Sequence, residues 1–289
     1  MQPLISVLIN CYNSEKFIKT AIQSVLNQSY NNFEIIIWDN RSNDCTKEII
    51  SSFRDNRIKY YLSKKHTNLS QARHNAIMRS SGNWFIFLDS DDFWEIDILS
   101  EQIKIILNDK RIGLIFCKAK IFNKEKNDTK WSKSFNNRNI KIDSNDSLFD
   151  LLLKKNFIYI SSVLFNKNYY GNKLNINPKL NFAEDYDILL KYSQKYKFRF
   201  IDKYLLNYRI HNNNLSIKHE KDNIKEILLI FKSLLPNKKV NRAIYYQLTL
   251  HLIIYVKNLR FDLLLNLLKH NFNPLTYLIG FYYVINKKI

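Results

Sequence analysis

Glycine is scarce in this sequence, and its glycines lie far apart. Four occur among 289 residues, and no two of them fall within 30 positions of each other. Dinucleotide-binding fingerprints and P-loops both need clustered glycines, because their backbone must approach a phosphate closely. The sequence therefore excludes both kinds of phosphate-binding loop. The glycines are Gly82, Gly113, Gly171 and Gly280.

Cysteine and long hydrophobic runs are also scarce. The three cysteines are odd in number and form no CxxC pair, so no disulfide framework is predicted and a reducing compartment fits. The nearest candidate for a membrane-spanning helix, residues 274–285, is shorter than the roughly 18–20 residues required. The first ten residues, MQPLISVLIN, lack the charged start of a signal peptide. We therefore expect a cytoplasmic protein.

Positive charge is abundant, but only in the second part of the chain. Residues 1–110 carry 13 basic and 13 acidic side chains, whereas 111–217 carry 20 and 9, and 218–289 carry 12 and 4. The net charge of +19 therefore belongs to residues 111–289. Such an excess indicates a phospholipid, a phosphorylated acceptor or nucleic acid as partner. The alternative is a compositional drift that enriches lysine, asparagine and isoleucine.

The first 110 residues alternate between strand-like and helix-like patterns. Apolar runs predict strands at 5–11, 33–39, 58–62 and 84–88, and helical spacing predicts helices between and after them, the first N-capped by Ser14. Continuous apolar strands that alternate with helices indicate a parallel sheet covered on both faces. Further predictions are strands at 112–121, 159–165 and 198–209, helices at 147–153 and 183–196, a polar loop or hairpin at 123–145, and helices from 221 onward with breaks at Pro236 and Pro274.

Polar residues end three of the predicted strands. Asn10–Asn13 end the first strand, Asp39 and Asn40 the second, and Asp89–Asp92 the fourth. Ligands of an open parallel sheet bind beyond the carboxyl ends of its strands, so these residues are candidates for one site. Repulsion among three carboxylates must be offset by a cation or by many donors, and oxygen ligands favour Mg²⁺ or Mn²⁺. The alternative is one helix-capping aspartate with the others in solvent.

Six segments, taken in order, resemble the motifs of glycosyltransferase family 2. The resemblance covers roughly residues 3–216 and implies an α/β GT-A fold, in which a Rossmann-like, mostly parallel central sheet is flanked by helices. It implies a catalytic domain at 1–217, with a nucleotide-binding half at 1–110 and an acceptor-binding half at 111–217. The helical pattern beyond it predicts a basic, apolar-rich helical extension at 218–289. The segments are ISVLINCYNSEKFIKTAIQSVLNQSY, FEIIIWDNRSNDCT, NLSQARHNAI, GNWFIFLDSDDFW, FAEDYDILLKY and LNYRIHNNNLS.

The resemblance also implies roles for the matching residues. Tyr12 is expected to stack on the nucleotide base, Asp39 to accept a hydrogen bond from it, and Asp185, or else Glu184, to act as the catalytic base. The carboxylates of the DSDD segment are expected to bind the metal and the ribose–diphosphate, with Asp91 as the direct metal ligand. Arg73 contacts the diphosphate or only pairs on its helix, and His211 is a metal ligand or a surface histidine. The expected nucleotide-sugar contacts are Asn10, Tyr12, Asn13, Asp39, Arg73, Asp89, Ser90 and Asp91, and the expected metal ligands are Asp91, Asp89 and His211.

The activity implied by the resemblance is an inverting, metal-dependent sugar transfer. The expected donor is a nucleotide-sugar, in the first place a UDP-sugar, with Mn²⁺ or Mg²⁺ as cofactor and a hydroxyl of a glycan or lipid-linked glycan as acceptor. One base outside the metal segment is consistent with inversion, because a retaining double displacement also needs a carboxylate nucleophile. The chain departs from the family pattern at Asn10, at Asn40-Arg41 and at Asn68, where proline, Asp-Gly and glycine are common. The chain lacks the QxxRW motif of processive enzymes. This absence favours a non-processive enzyme of capsule, lipooligosaccharide or other surface-polysaccharide synthesis.

The C-terminal segment and two other function classes leave alternatives open. A basic, apolar-rich helical tail can lie on the anionic inner face of the cytoplasmic membrane. It can equally pack on the catalytic domain or on a second subunit of a homo-oligomer. A nucleic-acid-binding protein is the first rival class, and the acidic DSDD segment argues against it. A catalytically inactive GT-A partner protein is the second, and the intact Asp89, Asp91 and Asp185 argue against it.

Overall fold

The computed structural model describes residues 2–109, 111–123, 142, 147–170, 176–211, 214, 223–257, 267–268, 276–277 and 280. The loop or hairpin predicted at 123–145 lies outside these residues, apart from positions 123 and 142. The predicted break at Pro274 also lies outside them.

The described strands form one eight-stranded sheet, and the predicted mostly parallel α/β architecture is confirmed. The strands are β1 (Ile5–Cys11), β2 (Phe33–Asp39), β3 (Ile58–Leu62), β4 (Trp84–Phe87), β5 (Phe93–Trp94), β6 (Ile112–Asn123), β7 (Leu164–Asn166) and β8 (Lys197–Ile210). Their spatial order is β3-β2-β1-β4-β7-β6-β8-β5. The parallel pairs are β1 with β2, β1 with β4, β2 with β3, and β6 with β8. The antiparallel pairs are β7 with β4, β7 with β6, and β5 with β8.

Helices cover the sheet with amphipathic faces. In the first of them, Ile18, Ala21, Ile22 and Val25 are buried, which is the spacing of one helical face. All residues of β2 and β4 are buried, as expected for strands covered on both sides. The described helices are α1 (Ile18–Leu26), α2 (Thr46–Ser51), α3 (Leu69–Arg79), α4 (Ile98–Asn108), α5 (Leu148–Lys154), α6 (Glu184–Lys195), α7 (Asn223–Ser233) and α8 (Lys238–Lys257).

Two local predictions were wrong. Ser14 does not cap α1, because the helix begins at Ile18 and Phe17 occupies its N-cap position without a side-chain capping bond. The Ser14 hydroxyl instead lies 2.8 Å from the hydroxyl of Ser90, so a contact between distant residues outweighs the local capping pattern. The strand predicted at 159–165 is partly a 3-10 turn at Ile160–Ser162, and the strand itself is Leu164–Asn166.

The chain divides into two compact units. One contains residues 1–144 and 157–214, and the other contains 145–156 and 215–289. In the second unit α5 bonds to α8, where Gln247 Nε2 donates to the Lys154 carbonyl at 2.7 Å and Lys239 pairs with Asp150 at 2.6 Å. The predicted domain boundary after residue 217 stays a prediction. No helix in the part of the chain that the structure describes is long and apolar enough to cross a membrane.

A buried carboxylate ties the amino-terminal ends of the first strands together. Glu34, in β2, accepts from the Ser6 hydroxyl at 2.6 Å, from the Ser81 amide, and from Lys59 Nζ at 2.7 Å. Burial alone would raise the pKa of Glu34, but these donors outweigh it and hold that pKa below its usual value. Glu34 therefore stabilises the sheet at the edge opposite the polar strand ends.

Replacing Glu34 with glutamine should lower the free energy of unfolding by about 2–3 kcal/mol at pH 7, because a charged, multiply bonded acceptor is lost. Because folding lowers the pKa of Glu34, its contribution to stability is fully present above the ordinary glutamate pKa of 4.5. That contribution is lost as the pH falls from 4.5 through the lower pKa of the folded state. Urea unfolding of both proteins between pH 3 and pH 7 should show the difference shrinking toward low pH. Glu48→Gln, an exposed control, should change stability by less than about 0.5 kcal/mol at any pH. A pH-independent Glu34 effect would contradict this explanation.

Candidate active site

The carboxyl ends of β1, β2 and β4 meet at one edge of the sheet. β1 lies between β2 and β4, with Cys11 paired to Asp39 and Leu8 to Phe87. The polar residues that follow these strands therefore lie side by side, although they are distant in the sequence. This is the edge at which open parallel sheets bind ligands.

A buried arginine joins two of the predicted acidic residues. Arg73, in α3, donates from Nη2 to Asp89 Oδ1 at 2.6 Å and from Nη1 to Glu184 Oε1 at 2.5 Å. Its side chain is only 4% exposed. Burial alone would lower the pKa of Arg73, but the charges of Asp89 and Glu184 outweigh it and raise that pKa. Arg73 therefore stays charged and links α3, the DSDD segment and α6; its predicted diphosphate contact stays a prediction.

Glu184 and Asp185 begin α6 but lie in different environments. Glu184 is buried, and its Oε2 has no hydrogen-bond partner among the described residues. Burial and repulsion from Asp185 act to raise the pKa of Glu184 above its usual value, and the charge of Arg73 opposes that rise. Asp185 is partly exposed, and its Oδ1 accepts from the amide of Tyr186 at 2.6 Å. Glu184 is therefore enclosed beside Arg73, and Asp185 is the member of the pair with more access to solvent.

Asp91 and His211 lie together although 120 positions separate them in the sequence. Asp91 Oδ2 is 2.8 Å from His211 Nε2 and 3.4 Å from Asn214 Nδ2. Within the described ranges, no group of three or more His, Cys, Asp or Glu side chains is arranged to hold a metal ion. One carboxylate oxygen beside one imidazole nitrogen fits a divalent cation whose other ligands are phosphate oxygens and water.

The last aspartate of the DSDD segment is buried and holds the loop in place. Ser161 Oγ donates to Asp92 Oδ2 at 2.8 Å, and the amide of Arg209 donates to Asp92 Oδ1 at 3.0 Å. Ser161 Oγ also accepts from the amide of Asp89 at 3.1 Å, and the Ser161 carbonyl accepts from Trp94 Nε1 at 2.8 Å. Burial, with repulsion from the neighbouring aspartates, raises the pKa of Asp92 well above its usual value. Of the three aspartates, Asp92 is thus the least accessible to a cation.

An exposed ring and a buried carboxylate lie at the ends of β1 and β2. Tyr12 is 49% exposed, whereas Asp39 is buried. Asp39 Oδ1 accepts from the amide of Ser42 at 2.7 Å, and its Oδ2 accepts from the hydroxyl of Tyr60 at 2.8 Å. The carboxylate is therefore held in one orientation beside an accessible aromatic face, an arrangement that suits a planar, hydrogen-bonding ligand.

The turns after β1 and β2 contain strained backbone and unpaired polar atoms. Asn13 and Arg41 adopt positive φ values of 51° and 73°, which non-glycine residues rarely do. The two turns are joined by a bond from the Asn13 amide to Ser42 Oγ at 3.0 Å. Both side-chain polar atoms of Asn10 are buried without a partner among the described residues. Strain and unpaired polar groups of this kind cluster at functional sites.

Three contributors to this edge were not predicted from the sequence. Ser161 follows no recognised motif, and nothing in the sequence distinguishes it from other serines. Asn214 and Ser14 lie within the six segments that resemble the family, close in sequence to the predicted site residues His211 and Asn13. That closeness in sequence is what could have identified them. The predicted Ser90 belongs to the same edge through its contact with Ser14.

Comparisons with known proteins give the family and its relatives. The model of the family described as glycosyl transferase family 2 matches residues 6–168, which is more than half of the chain. The chain is 27% identical over 244 residues to a chondroitin synthase of Pasteurella multocida (strain Pm70), a match that spans 84% of this chain and 24% of that protein. It is 35% identical over 120 residues to the Escherichia coli enzyme UDP-Glc:alpha-D-GlcNAc-diphosphoundecaprenol beta-1,3-glucosyltransferase WfgD, spanning 42% of this chain and 47% of that protein. The chain thus covers about a quarter and about half of the lengths of these relatives.

Solved structures show the same fold. TarS 1-349 of Staphylococcus aureus in complex with UDP-GlcNAc matches with a TM-score of 0.67 at 19% identity, covering 91% of this chain and 79% of that chain. The mannosyltransferase PcManGT of Pyrobaculum calidifontis, in complex with GDP-Man and Mn²⁺, matches with a TM-score of 0.62 at 12% identity, covering 82% and 65%. The predicted GT-A fold is confirmed. Because the family match spans more than half of the sequence and the fold agrees with it, the chain belongs to glycosyl transferase family 2.

Proposed function

We propose that this chain moves a sugar from a nucleotide-sugar, with a UDP-sugar as the expected donor, to a hydroxyl of a glycan or lipid-linked glycan in cell-surface polysaccharide synthesis. The observation that carries the proposal is the shared edge at which Tyr12, Asp39 and the DSDD segment meet. The names of the relatives support it, since WfgD is named for a UDP-Glc donor and a diphosphoundecaprenol-linked acceptor. The UDP-GlcNAc bound to the TarS structure supports the same donor class.

The donor is expected to lie along this edge from its base to its diphosphate. Tyr12 presents its ring to the base, and the oriented carboxylate of Asp39 accepts a hydrogen bond from it. Asp89, Ser90 and Asn10 lie further along the edge, toward the ribose and diphosphate. Asp91 and His211 would hold a Mn²⁺ or Mg²⁺ ion there. When bound, such an ion offsets the negative charge that develops on the leaving diphosphate.

Asp185 is the proposed base that takes the proton of the acceptor hydroxyl. A general base must be unprotonated and within reach of the substrate. Glu184 does not meet the second condition, because it is buried and bonded to Arg73. One base on the face opposite the leaving diphosphate supports a single displacement with inversion at the anomeric carbon. The role of Glu184 is then to hold Arg73 and the start of α6 in position.

The second unit carries a surface that suits an anionic membrane. Leu229 and Leu235 are 53% and 38% exposed, and lysines and an arginine lie at neighbouring positions of α7 and α8. Exposed leucines among basic residues favour binding to anionic lipid, by burial of apolar area and by charge. We define the basic-leucine surface by these residues: Lys225, Leu229, Lys232, Leu235, Lys238 and Arg242. It would place the enzyme beside a lipid-linked acceptor at the inner face of the cytoplasmic membrane.

Replacing Asp185 with asparagine should lower kcat by about 10²- to 10⁴-fold, the usual contribution of a general base. Glu184→Gln should lower kcat by less than about tenfold, because Glu184 does not take the proton and glutamine keeps a side-chain oxygen that can accept from Arg73. Turnover of a panel of UDP-sugars with glycan acceptors measures both variants, with UDP affinity and melting temperature as controls. Equal loss in both variants, or full activity in Asp185→Asn, would contradict the assignment.

Chelation with EDTA should abolish turnover, and Mn²⁺ or Mg²⁺ should restore it. Asp91→Asn and His211→Ala should each raise the Mn²⁺ concentration needed for half-maximal binding by about tenfold or more, since each removes a metal ligand. Binding is followed by the Mn²⁺ spin-resonance signal in the presence of UDP, which does not depend on activity. Asp97→Asn, an aspartate outside the DSDD segment, is the matched control and should leave Mn²⁺ binding unchanged. Unchanged binding in both site variants would exclude this metal site.

Leu229→Ser should weaken binding to vesicles of phosphatidylglycerol and phosphatidylethanolamine by roughly tenfold, because one buried leucine side chain is lost. Leu107→Ser is the matched control, since Leu107 is 59% exposed on α4 of the first unit. Sedimentation with vesicles measures the bound fraction of each variant and of the unaltered protein. None of these proteins should bind to neutral phosphatidylcholine vesicles. Equal binding of the Leu229 variant and the unaltered protein would remove this surface from consideration.

A further inference from the structure

Tyr12 has an aromatic neighbour that none of the matched segments contains. The ring centre of His66 lies 4.4 Å from that of Tyr12, with an angle of 58° between the ring planes. His66 lies in the loop between β3 and α3, so this pair joins the ends of β1 and β3 across the end of β2. Both side chains are exposed. An aromatic pair at such spacing is attractive even at a surface.

Asn40 holds the His66 loop against the sheet. Asn40 Nδ2 donates to the Thr67 carbonyl at 2.7 Å, and Asn40 Oδ1 accepts from both the amide and the hydroxyl of Thr67 at 3.1 Å. The carbonyl of Asn40 lies 2.9 Å from His66 Nδ1. A carbonyl oxygen can only accept, so Nδ1 carries the proton and the imidazole is held in one orientation.

The same asparagine is bonded to the strand that leads into Tyr12. The amide of Asn40 donates to the carbonyl of Cys11 at 2.9 Å, one residue before Tyr12. Asn40 is itself buried, and the next residue, Arg41, has the strained φ of 73°. Asn40 therefore holds both members of the aromatic pair, and strained backbone at such a position accompanies functional preorganisation.

The Tyr12 ring keeps exposed surface for a ligand although His66 lies against it. The shortest distance between the ring centres of an aromatic pair is about 4.5 Å. A planar base inserted between Tyr12 and His66 would need roughly twice that distance between the two ring centres. The observed 4.4 Å between the ring centres is a single spacing, so a base cannot fit between the two rings. Tyr12 nevertheless keeps 49% of its surface exposed, which leaves room for a base on its other side.

We propose that His66 is a positioning residue for the nucleobase of the donor. It supports one face of the Tyr12 ring, Asn40 holds it there, and the base stacks on the opposite face. The inference rests on the proposed nucleotide-sugar donor and adds a residue to its recognition. Preorganising a binding surface improves affinity, because less freedom is lost when the ligand binds. The expected effect is therefore on nucleotide affinity.

The test is calorimetric titration of UDP into the unaltered chain and five variants. His66→Ala should raise the Kd about three- to tenfold, the range expected for an aromatic pair. His66→Phe should restore the Kd to within about twofold, because it keeps an aromatic ring. Tyr12→Ala should raise the Kd further, and adding His66→Ala to it should have no additional effect, since His66 acts through Tyr12.

The matched control removes another His–Tyr contact. His74 lies against Tyr170, with 6.1 Å between ring centres, and His74→Ala should leave the Kd for UDP unchanged. An equal loss of affinity from His66→Ala with and without Tyr12 would show direct contact and overturn the inference. So would an unchanged Kd in His66→Ala when Tyr12→Ala weakens binding. Failure of the unaltered protein to bind UDP or any other nucleoside diphosphate would instead overturn the proposed function.

Discussion

The candidate active site depends on the buried guanidinium of Arg73. It bonds Asp89 after β4 and Glu184 at the start of α6, and so connects the two acidic segments of the fold. Removing one member of a buried charged group typically costs about 3–5 kcal/mol, because an unpaired charge is left in the interior. Arg73 thus couples the stability of the first unit to the placement of Asp89 and Glu184 at the candidate active site.

The other acidic residues acquire different environments around this arginine. Glu184 is held inside, which leaves Asp185 as the accessible carboxylate of its helix. Asp92 is held by Ser161 and by the amide of Arg209, while Asp91 is turned toward His211. Neighbouring residues of one short segment therefore lie in separate environments, Asp92 inside the loop and Asp91 at the candidate site. This separation follows from burial, since a carboxylate without solvent needs fixed donors around it.

The residues proposed to recognise the nucleotide lie to one side of this network because of the strand order. Asp39 and Asn40 end β2, which lies between β1 and β3, so Asn40 can bond both Cys11 and the loop that contains His66. The family pattern commonly has Asp-Gly at Asn40-Arg41. In this chain the side-chain amide of Asn40 forms the hydrogen bonds to Thr67, and Arg41 adopts a positive φ. The departure from the family pattern thus coincides with a local structure of its own.

The sequence alone determined the strands β1, β2 and β4, because apolar runs buried on both faces have a distinctive composition, as in Phe33–Asp39. It also placed Asp39 and Asp89 at one edge, since parallel strands share their carboxyl ends. Only the tertiary structure decided that Ser14 bonds Ser90 rather than capping α1, that Arg73 bonds Glu184, and that Ser161 holds Asp92. Those contacts join residues 69 to 111 positions apart, and no local periodicity or capping pattern records them.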